Sequence, residues 1–194
     1  VVLQRDSAGA KADAPGTIAD SRIPRGEEPV ASRADSIAKP YKEAAFSVPR
    51  NKEPHELPRD RMAEIVSEIV ATEGPVHIDE IARRVTSLWG LQRTGSRIVE
   101  AVEAALREAL AARRVVRDGS FYDRSGVSEP KVRNRENVSS ATLRRPDMLP
   151  PSEVRVALLH TVTSHVGVGR EDLITGAGRL FGYKATSAQL YAAI

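Results

Sequence analysis

Five arginines and two hydroxyl side chains are the strongest candidates for chemistry in this sequence. Arg93 and Arg97 lie four residues apart, so they share one face if a helix begins near Arg93. Thr94 and Ser96 are residue types that cap helix N-termini, where free N–H groups favour a phosphate. Three further arginines follow: Arg113, Arg114 and Arg117. Positive charge gathered in one place predicts a surface that binds phosphates, and the competing interpretation of each arginine is a solvated side chain.

The residue types that carry enzymatic or metal chemistry are nearly absent. The sequence has no cysteine, which excludes a disulfide framework, a zinc ribbon and a thiol nucleophile. Its four histidines lie at spacings that do not form a metal site, and Ser139-Ser140 has no base beside it in the sequence. We therefore expect no catalytic residue, no metal, no cofactor and no small-molecule substrate for this chain.

Charge is distributed unevenly, although the formal net charge is only +3. Residues 51–82 contain three basic and eight acidic side chains, whereas residues 83–117 contain eight arginines and three glutamates. The candidate arginines thus form the basic end of a segment that begins acidic.

These arginines belong to the first of two related segments. Residues 58–102 recur as residues 151–194, with an offset of 93 (151 − 58) up to Gly74 and of 92 (182 − 90) from Glu80 onward. The apolar positions match between the copies, and Trp89-Gly90 aligns with Phe181-Gly182. A shared apolar skeleton with different surface residues predicts two copies of one small fold.

Apolar periodicity predicts the elements that position the arginines. In the first copy we expect one helix after Pro58, a second that Asp79 caps and Trp89-Gly90 ends, and a third over about residues 96–112. Arg113 and Arg114 would then end the third helix, where the helix C-terminus favours them even without a ligand.

A short hairpin is expected directly after the third helix. Residues 115–117 and 120–122 flank an Asp118-Gly119 turn, and Arg117 falls on the first of these strands. Residues 76–78 suit a brief edge pairing. The order predicts a mainly α fold with a small β-hairpin wing, which is a winged helix-turn-helix present in tandem, with the second copy truncated.

The sequence divides into four predicted segments. They are a flexible or extended linker at 1–55, a first winged helix-turn-helix at 56–123, a basic linker at 124–150 and an incomplete second copy at 151–194. Tyr41 and Phe46 are expected to anchor the end of the first linker on the first copy. No apolar run approaches the roughly 20 residues that span a bilayer, and no signal peptide is present, so we expect a soluble cytoplasmic protein. The absence of an initial Met and the end inside a predicted helix suggest a piece of a longer protein.

The two copies differ at the candidate site. Arg93 aligns with Ala185 and Arg97 aligns with Gln189, which leaves Lys184 as the only basic residue in the corresponding turn. The second copy is therefore expected to bind DNA weakly or to contact protein instead.

Particular motifs resemble a known family. The runs EGPVH at 73–77 and WGLQRTGSRI at 89–98, with RRV between them, resemble an uncharacterised C-terminal domain of very large bacterial proteins. Those proteins look like superfamily 1 DNA helicases fused to a nuclease domain of the very-short-patch-repair type. The resemblance covers about residues 41–194 and implies that the ATPase and nuclease residues lie in polypeptide outside this sequence.

We expect an accessory DNA-binding module that positions duplex or junction DNA for helicase and nuclease domains of the same polypeptide, close to the nucleoid. The main alternative is a protein-interaction module that docks on the helicase core or a partner subunit. Residues 51–123 favour it because they contain 11 basic and 13 acidic side chains. A third possibility, an autonomous transcription regulator, lacks any visible ligand domain or dimerisation helix.

Overall fold

The computed structural model describes residues 37–126, 130–164, 167 and 169–194. In these residues the protein is mainly helical, with a three-stranded antiparallel sheet and one short parallel pairing. Its elements in chain order are β1 (Lys39–Pro40), α1 (Arg59–Glu73), β2 (Val76–His77), α2 (Ile78–Leu88), α3 (Ser96–Ala111), β3 (Val115–Asp118), β4 (Phe121–Arg124), β5 (Arg133–Asn134), α4 (Pro151–Ser164), α5 (Arg170–Leu180) and α6 (Ala188–Ala193). Three short 3-10 helices lie at Pro54–Glu56, Thr142–Arg144 and Pro146–Met148.

The first unit, from α1 to β4, is built around α1. Its apolar stripe is fully buried and packs mainly against α3, with further contacts to α2 and β4. The helix ends at Gly74, where an added Cβ would lie 2.5 Å from the Asp123 carboxylate, so the turn between α1 and β2 requires a residue without a side chain. The N-cap of α2 is His77, whose Nδ1 accepts the Asp79 N–H at 3.2 Å. The prediction that Asp79 provides this cap was wrong, because Asp79 is the donor.

The hairpin lies where the sequence predicts it, but its strands are longer and its turn is one residue later than the predicted Asp118-Gly119. Asp118 pairs with Phe121, so the two-residue loop is Gly119 and Ser120, and Gly119 has a φ of +58°. A positive φ at the first loop position suits glycine and matches the twist of a hairpin. β2 pairs along the other edge of β4, with Val76 opposite Tyr122, which gives the strand order β2-β4-β3.

The second unit, from α4 to α6, repeats the helix bounds of the first. The bounds of α5 equal those of α2 shifted by 92 residues, and α6 begins 92 residues after the start of α3. Both second helices also end in the same way, with Gly90 and Gly182 in the left-handed region. In each case the next N–H reaches back five residues, from Leu91 to the Thr86 carbonyl and from Tyr183 to the Gly178 carbonyl, both at 3.0 Å. This Schellman arrangement explains the aromatic-glycine pair that recurs in the sequence.

Both segments predicted as linkers contribute to the packed structure. In the first, Tyr41 is buried and Phe46 packs on the core of the first unit, which confirms their anchoring role. In the second, residues 130–150 contain β5 and two 3-10 helices, and several of their side chains are buried. β1 of the first segment pairs with β5 of the second in parallel. Residues 130–150 are therefore a structured connector and not the plain basic linker that the sequence predicts.

Within the part of the chain that the structure describes, no helix is long and apolar enough to cross a membrane.

Candidate nucleic-acid interface

Arg93 and Arg97 lie at the N-terminal end of α3, but only one of them is helical. α3 begins at Ser96, so Arg97 is in its first turn and Arg93 is in the preceding turn. A shared helix face required a helix that begins near Arg93, and the structure does not meet this condition. Both side chains are exposed, and neither forms a hydrogen bond or ion pair with any residue that the structure describes. They are free to meet a ligand from solvent.

Neither hydroxyl residue caps α3 as predicted. The Thr94 hydroxyl lies 2.9 Å from the Thr86 hydroxyl of α2, which ties the turn to the preceding helix. The N-cap is Gly95, in an extended conformation and with no side-chain cap, and Ser96 is the first helical residue. The start of α3 is therefore an uncapped helix N-terminus beside two free guanidinium groups, an arrangement that favours negative charge.

The remaining three arginines form a second cluster at the opposite end of α3. A helix of 16 residues is about 24 Å long, so Arg113 and Arg114 are separated from Arg93 and Arg97 by that distance. Arg117 lies on β3, where its Nε donates to the Gly119 carbonyl at 2.6 Å and its guanidinium stacks over Tyr122 at 5.8 Å. The structure thus divides the seven predicted residues into two clusters, and Arg117 has a partner inside the hairpin.

Arg113 has an unusual backbone for its residue type. Its φ is +55°, and no other non-glycine residue among those described has a positive φ. It takes the position at the end of α3 that glycine takes at the end of α2, since Arg114 N–H donates to the Ala109 carbonyl at 2.9 Å. An L-residue in this conformation costs about 1 kcal/mol. Strain at an exposed arginine points to a use for its side chain.

The outward face of α3 between the clusters carries a net negative charge. Glu100 and Glu103 are exposed, and Arg107 lies 4.0 Å from the Glu103 carboxylate. Val116, Leu159, Val162 and Tyr191 are the large apolar side chains that the described residues expose, and none of them is on α3. Along α3 and the residues that flank it, the unpaired arginines therefore lie at the two ends of the helix.

The corresponding turn in the second unit has a different surface. Lys184 pairs with Glu136 of the connector at 3.2 Å, and its neighbours Ala185 and Gln189 are exposed and uncharged. Ser187, in the place of Gly95, caps α6 by accepting the Leu190 N–H at 3.1 Å. The N-terminus of α6 therefore has a side-chain cap, whereas that of α3 has none.

Several other arginines are buried in ion pairs that sequence reasoning missed. The Glu73 carboxylate is fully buried and accepts from Arg84 Nε at 2.5 Å, from the Tyr41 hydroxyl at 2.9 Å and from the Ala44 N–H at 2.8 Å. Arg84 also reaches Glu80, and burial raises the pKa of the Glu80 carboxyl. Only the spacing of Glu80 and Arg84, four residues apart on α2, is a signal in the sequence.

A second buried cluster joins the two units. Glu153, at the start of α4, accepts from Arg133 Nε at 2.8 Å and from Arg135 Nη2 at 3.3 Å. Arg133 also donates to the Pro75 carbonyl at 2.7 Å and to the Glu73 carbonyl at the end of α1. Both guanidinium groups stack on the Tyr41 ring, at 4.6 and 5.3 Å. These arginines are engaged in internal contacts, and they are not available to a ligand.

The arrangement defines a class: a small helical unit with a hairpin that exposes free arginines at an open helix end. Among the described residues, no group of three or more His, Cys, Asp or Glu could hold a metal ion.

A family model described as a protein of unknown function (DUF3320) matches residues 52–100, which include α1, β2, α2 and the start of α3. Searches of curated proteins and of solved structures find no match. The association with helicase and nuclease domains therefore stays a prediction.

Proposed function

We propose that the first unit is a winged helix that binds DNA, and that the second is a related unit that does not. The order helix, short strand, helix, turn, helix and hairpin supports this interpretation of the first unit. The shared helix bounds and the shared ending of α2 and α5 support its repetition in the second.

One observation carries the DNA proposal: Arg93 and Arg97 are exposed and unpaired at an uncapped helix N-terminus. Other arginines of the chain, such as Arg84, Arg133 and Arg135, are buried against carboxylates. Some arginines are thus held in buried ion pairs, whereas Arg93 and Arg97 have no partner among the described residues. Free arginines beside an open helix end suit the phosphates of a nucleic acid.

The glutamates on α3 restrict how DNA would approach. Glu100 and Glu103 face outward in the middle of the helix, where they would repel phosphates on both sides of a groove. DNA contact therefore involves the N-terminal tip of α3 rather than its whole length. Arg113 and Arg114, about 24 Å away, would reach a separate stretch of backbone.

In a larger polypeptide, such a module would hold duplex or junction DNA for helicase and nuclease domains. It would then act in the cytoplasm on the nucleoid. This context depends on the family resemblance of the sequence motifs.

The test is a salt-titrated binding comparison on duplex, forked and single-stranded DNA. Arg93→Ala with Arg97→Ala should weaken binding by about 1–3 kcal/mol for each base-reading contact and reduce the salt slope by up to about 2. Arg59→Ala with Arg61→Ala removes the same charge from exposed positions on α1 and is the matched control. If the first double variant binds as the control does, or if wild-type affinity does not depend on salt, the proposal is wrong.

The alternative function, docking on protein, has support in the second unit. Leu159, Val162 and Tyr191 are exposed there, and the turn before α6 has no free cation among its described residues. An exposed apolar patch on α3 would have favoured docking by the first unit, and the structure shows none on that helix.

A further inference from the structure

The charges along α3 change sign twice. Arg93 and Arg97 lie at its N-terminal end, and Arg113 and Arg114 follow its C-terminal end. All four side chains are exposed, and none of them forms a hydrogen bond or an ion pair with a residue that the structure describes. The residues between Arg97 and Arg113 contain one arginine and three glutamates, which gives a net charge of −2 (1 − 3). Two cationic ends are therefore separated by an acidic middle.

The acidic middle of α3 faces solvent. Glu100, Glu103 and Arg107 follow one another at intervals of three and four residues, so they lie on one face of the helix, opposite the buried Ala105 and Ala109. In a helix-turn-helix on a continuous duplex, this face would lie in the major groove. A duplex carries one negative charge per about 1.7 Å, so the 16 residues of α3, about 24 Å long, would run beside about 14 phosphates. The exposed glutamates oppose that position.

The hairpin is a second observation against a continuous duplex. Residues 115–124 contain two arginines and two aspartates, so the hairpin has no net charge. The Arg117 guanidinium is held inside it, by the Gly119 carbonyl at 2.6 Å and the Tyr122 ring at 5.8 Å. Asp118, next to the turn, is exposed. A hairpin laid along the duplex beside α3 would therefore bring a free carboxylate to the phosphates.

We infer that the first unit recognises a branch point, where two stretches of DNA backbone diverge, rather than a continuous duplex. Arg93 and Arg97 bind one stretch, and Arg113 and Arg114 bind the other, about 24 Å away. The acidic middle of α3 then faces the space between the two stretches, where no phosphates lie. This inference rests on the proposed DNA-binding function and adds the class of DNA to it.

The test compares a continuous duplex with a fork that contains the same number of phosphates. The fork has a duplex stem and two single-stranded arms, and an unjoined mixture of the stem and the two single strands controls for affinity to the parts. Binding of the full chain is measured by fluorescence anisotropy at one salt concentration. Wild type should bind the fork about tenfold more tightly than either the duplex or the mixture.

Removal of the acidic middle should abolish this preference. Glu100→Gln with Glu103→Gln removes the repulsion, so duplex affinity should rise about tenfold while fork affinity changes by less than about threefold. Asp60→Asn with Glu68→Gln is the matched control, because it removes the same charge from exposed positions on α1. The ratio of fork to duplex affinity in this control should equal that of wild type.

Removal of the second cationic end should act on the fork. Arg113→Gly with Arg114→Ala should lower fork affinity about tenfold, to the level of the duplex, because only one backbone stretch is then bound. Glycine at position 113 suits the φ of +55°, so this variant keeps the end of α3.

The results separate this inference from the proposed function. If Arg93→Ala with Arg97→Ala binds every DNA as wild type does, the proposed function is wrong and the inference is wrong with it. If that variant binds weakly but wild type binds fork and duplex equally, the first unit binds DNA and only the inference is wrong. The same holds if Glu100→Gln with Glu103→Gln leaves the ratio of fork to duplex affinity unchanged.

Discussion

The turns before α3 and α6 share one backbone design and present opposite surfaces. Both follow a glycine in the left-handed region, and in both a threonine hydroxyl bonds to a threonine of the preceding helix, Thr94 to Thr86 at 2.9 Å and Thr186 to Thr175 at 3.0 Å. The first turn then presents two free arginines and an open helix end. The second presents uncharged side chains, a capped helix and one lysine that is already paired. The comparison separates the residues that build the turn from those that a ligand would meet.

The starts of α1 and α4 differ in whether their carboxylate is exposed or buried. Asp60 of α1 is exposed, whereas its counterpart Glu153 of α4 is fully buried between Arg133 and Arg135. The carboxylate at this position is therefore open to solvent in the first unit, whereas in the second it binds the arginines of the connector.

Removal of Glu153 should have the largest effect. Glu153→Ala leaves two buried guanidinium groups without their carboxylate, so the free energy of unfolding should fall by about 3–5 kcal/mol. Asp60→Ala, at the equivalent exposed position, should change it by less than about 0.5 kcal/mol. Urea unfolding monitored by circular dichroism measures both. Equal losses in the two variants would contradict the contrast between the helix starts.

Transfer of the arginines to the second unit should have the next largest effect. Ala185→Arg with Gln189→Arg restores the free charge on the same turn, and duplex DNA affinity should rise about tenfold, or about 1.4 kcal/mol. The salt slope should steepen by up to about 2. Ala185→Gln alone adds length without charge and serves as the control in the same titration. An unchanged slope in the arginine variant would show that the turn is not sufficient to present these side chains to DNA.

Arg113→Gly tests whether the strained end of α3 belongs to the binding surface. Glycine adopts a φ of +55° freely, so the variant should be more stable by about 0.5–1 kcal/mol. Because the variant loses a free guanidinium, its DNA affinity should fall and its salt slope should decrease by about 1. Thermal unfolding and the binding titration measure the two effects. Increased stability with unchanged binding would remove Arg113 from the interface.

Replacement of Glu43 tests the ion pairs of the first unit. Its effect on the free energy of unfolding should be the smallest of the four, because the Glu43 side chain is 21% exposed. Burial would raise the pKa of this carboxyl, but donors from Ser139, Ser140 and Arg84 prevail and lower it. A lowered carboxyl pKa stabilises the folded protein above the unfolded-state pKa, and this contribution is lost as pH falls through the folded-state value.

Glu43→Gln should therefore destabilise the protein at pH 7, and the difference from wild type should disappear between about pH 5 and pH 3. Glu68→Gln, at an exposed carboxylate of α1, removes the same charge and should show no such dependence. Urea unfolding at several pH values measures the difference. If the difference in the free energy of unfolding between Glu43→Gln and wild type stays constant over this pH range, the pKa of Glu43 is not lowered in the folded protein.

The parts of the fold that depend on local sequence were predicted well. The apolar stripe of α1, the glycine stops after α2 and α5, and the hairpin all have signals within a few residues of each other. The start of α3 lies at Ser96 as predicted, but the bond between Thr94 and Thr86, which joins the turn before α3 to α2, was not predicted. That contact spans the turn and leaves no periodic signal.

The connector was misread for a related reason. Arg133 and Arg135 look like solvated charges in an aperiodic basic segment, yet their carboxylate partner, Glu153, lies about 20 residues away in sequence. Arg133 also reaches the end of α1, 60 residues earlier in the chain. Pairing over such distances is decided by the packed structure, so composition alone assigned these arginines to the wrong environment.

The position of Glu73 has a practical consequence for the stretch that the family model matches. The family match ends at residue 100, inside α3, and therefore excludes the core residues Val102 and Leu106. It begins at residue 52 and also excludes Tyr41 and Ala44, which bind the buried Glu73 carboxylate. The matched stretch is thus smaller than the packed core of the first unit. A fragment of residues 52–100 would lack these four residues, so it would expose the Glu73 carboxylate and the core side chains that they cover.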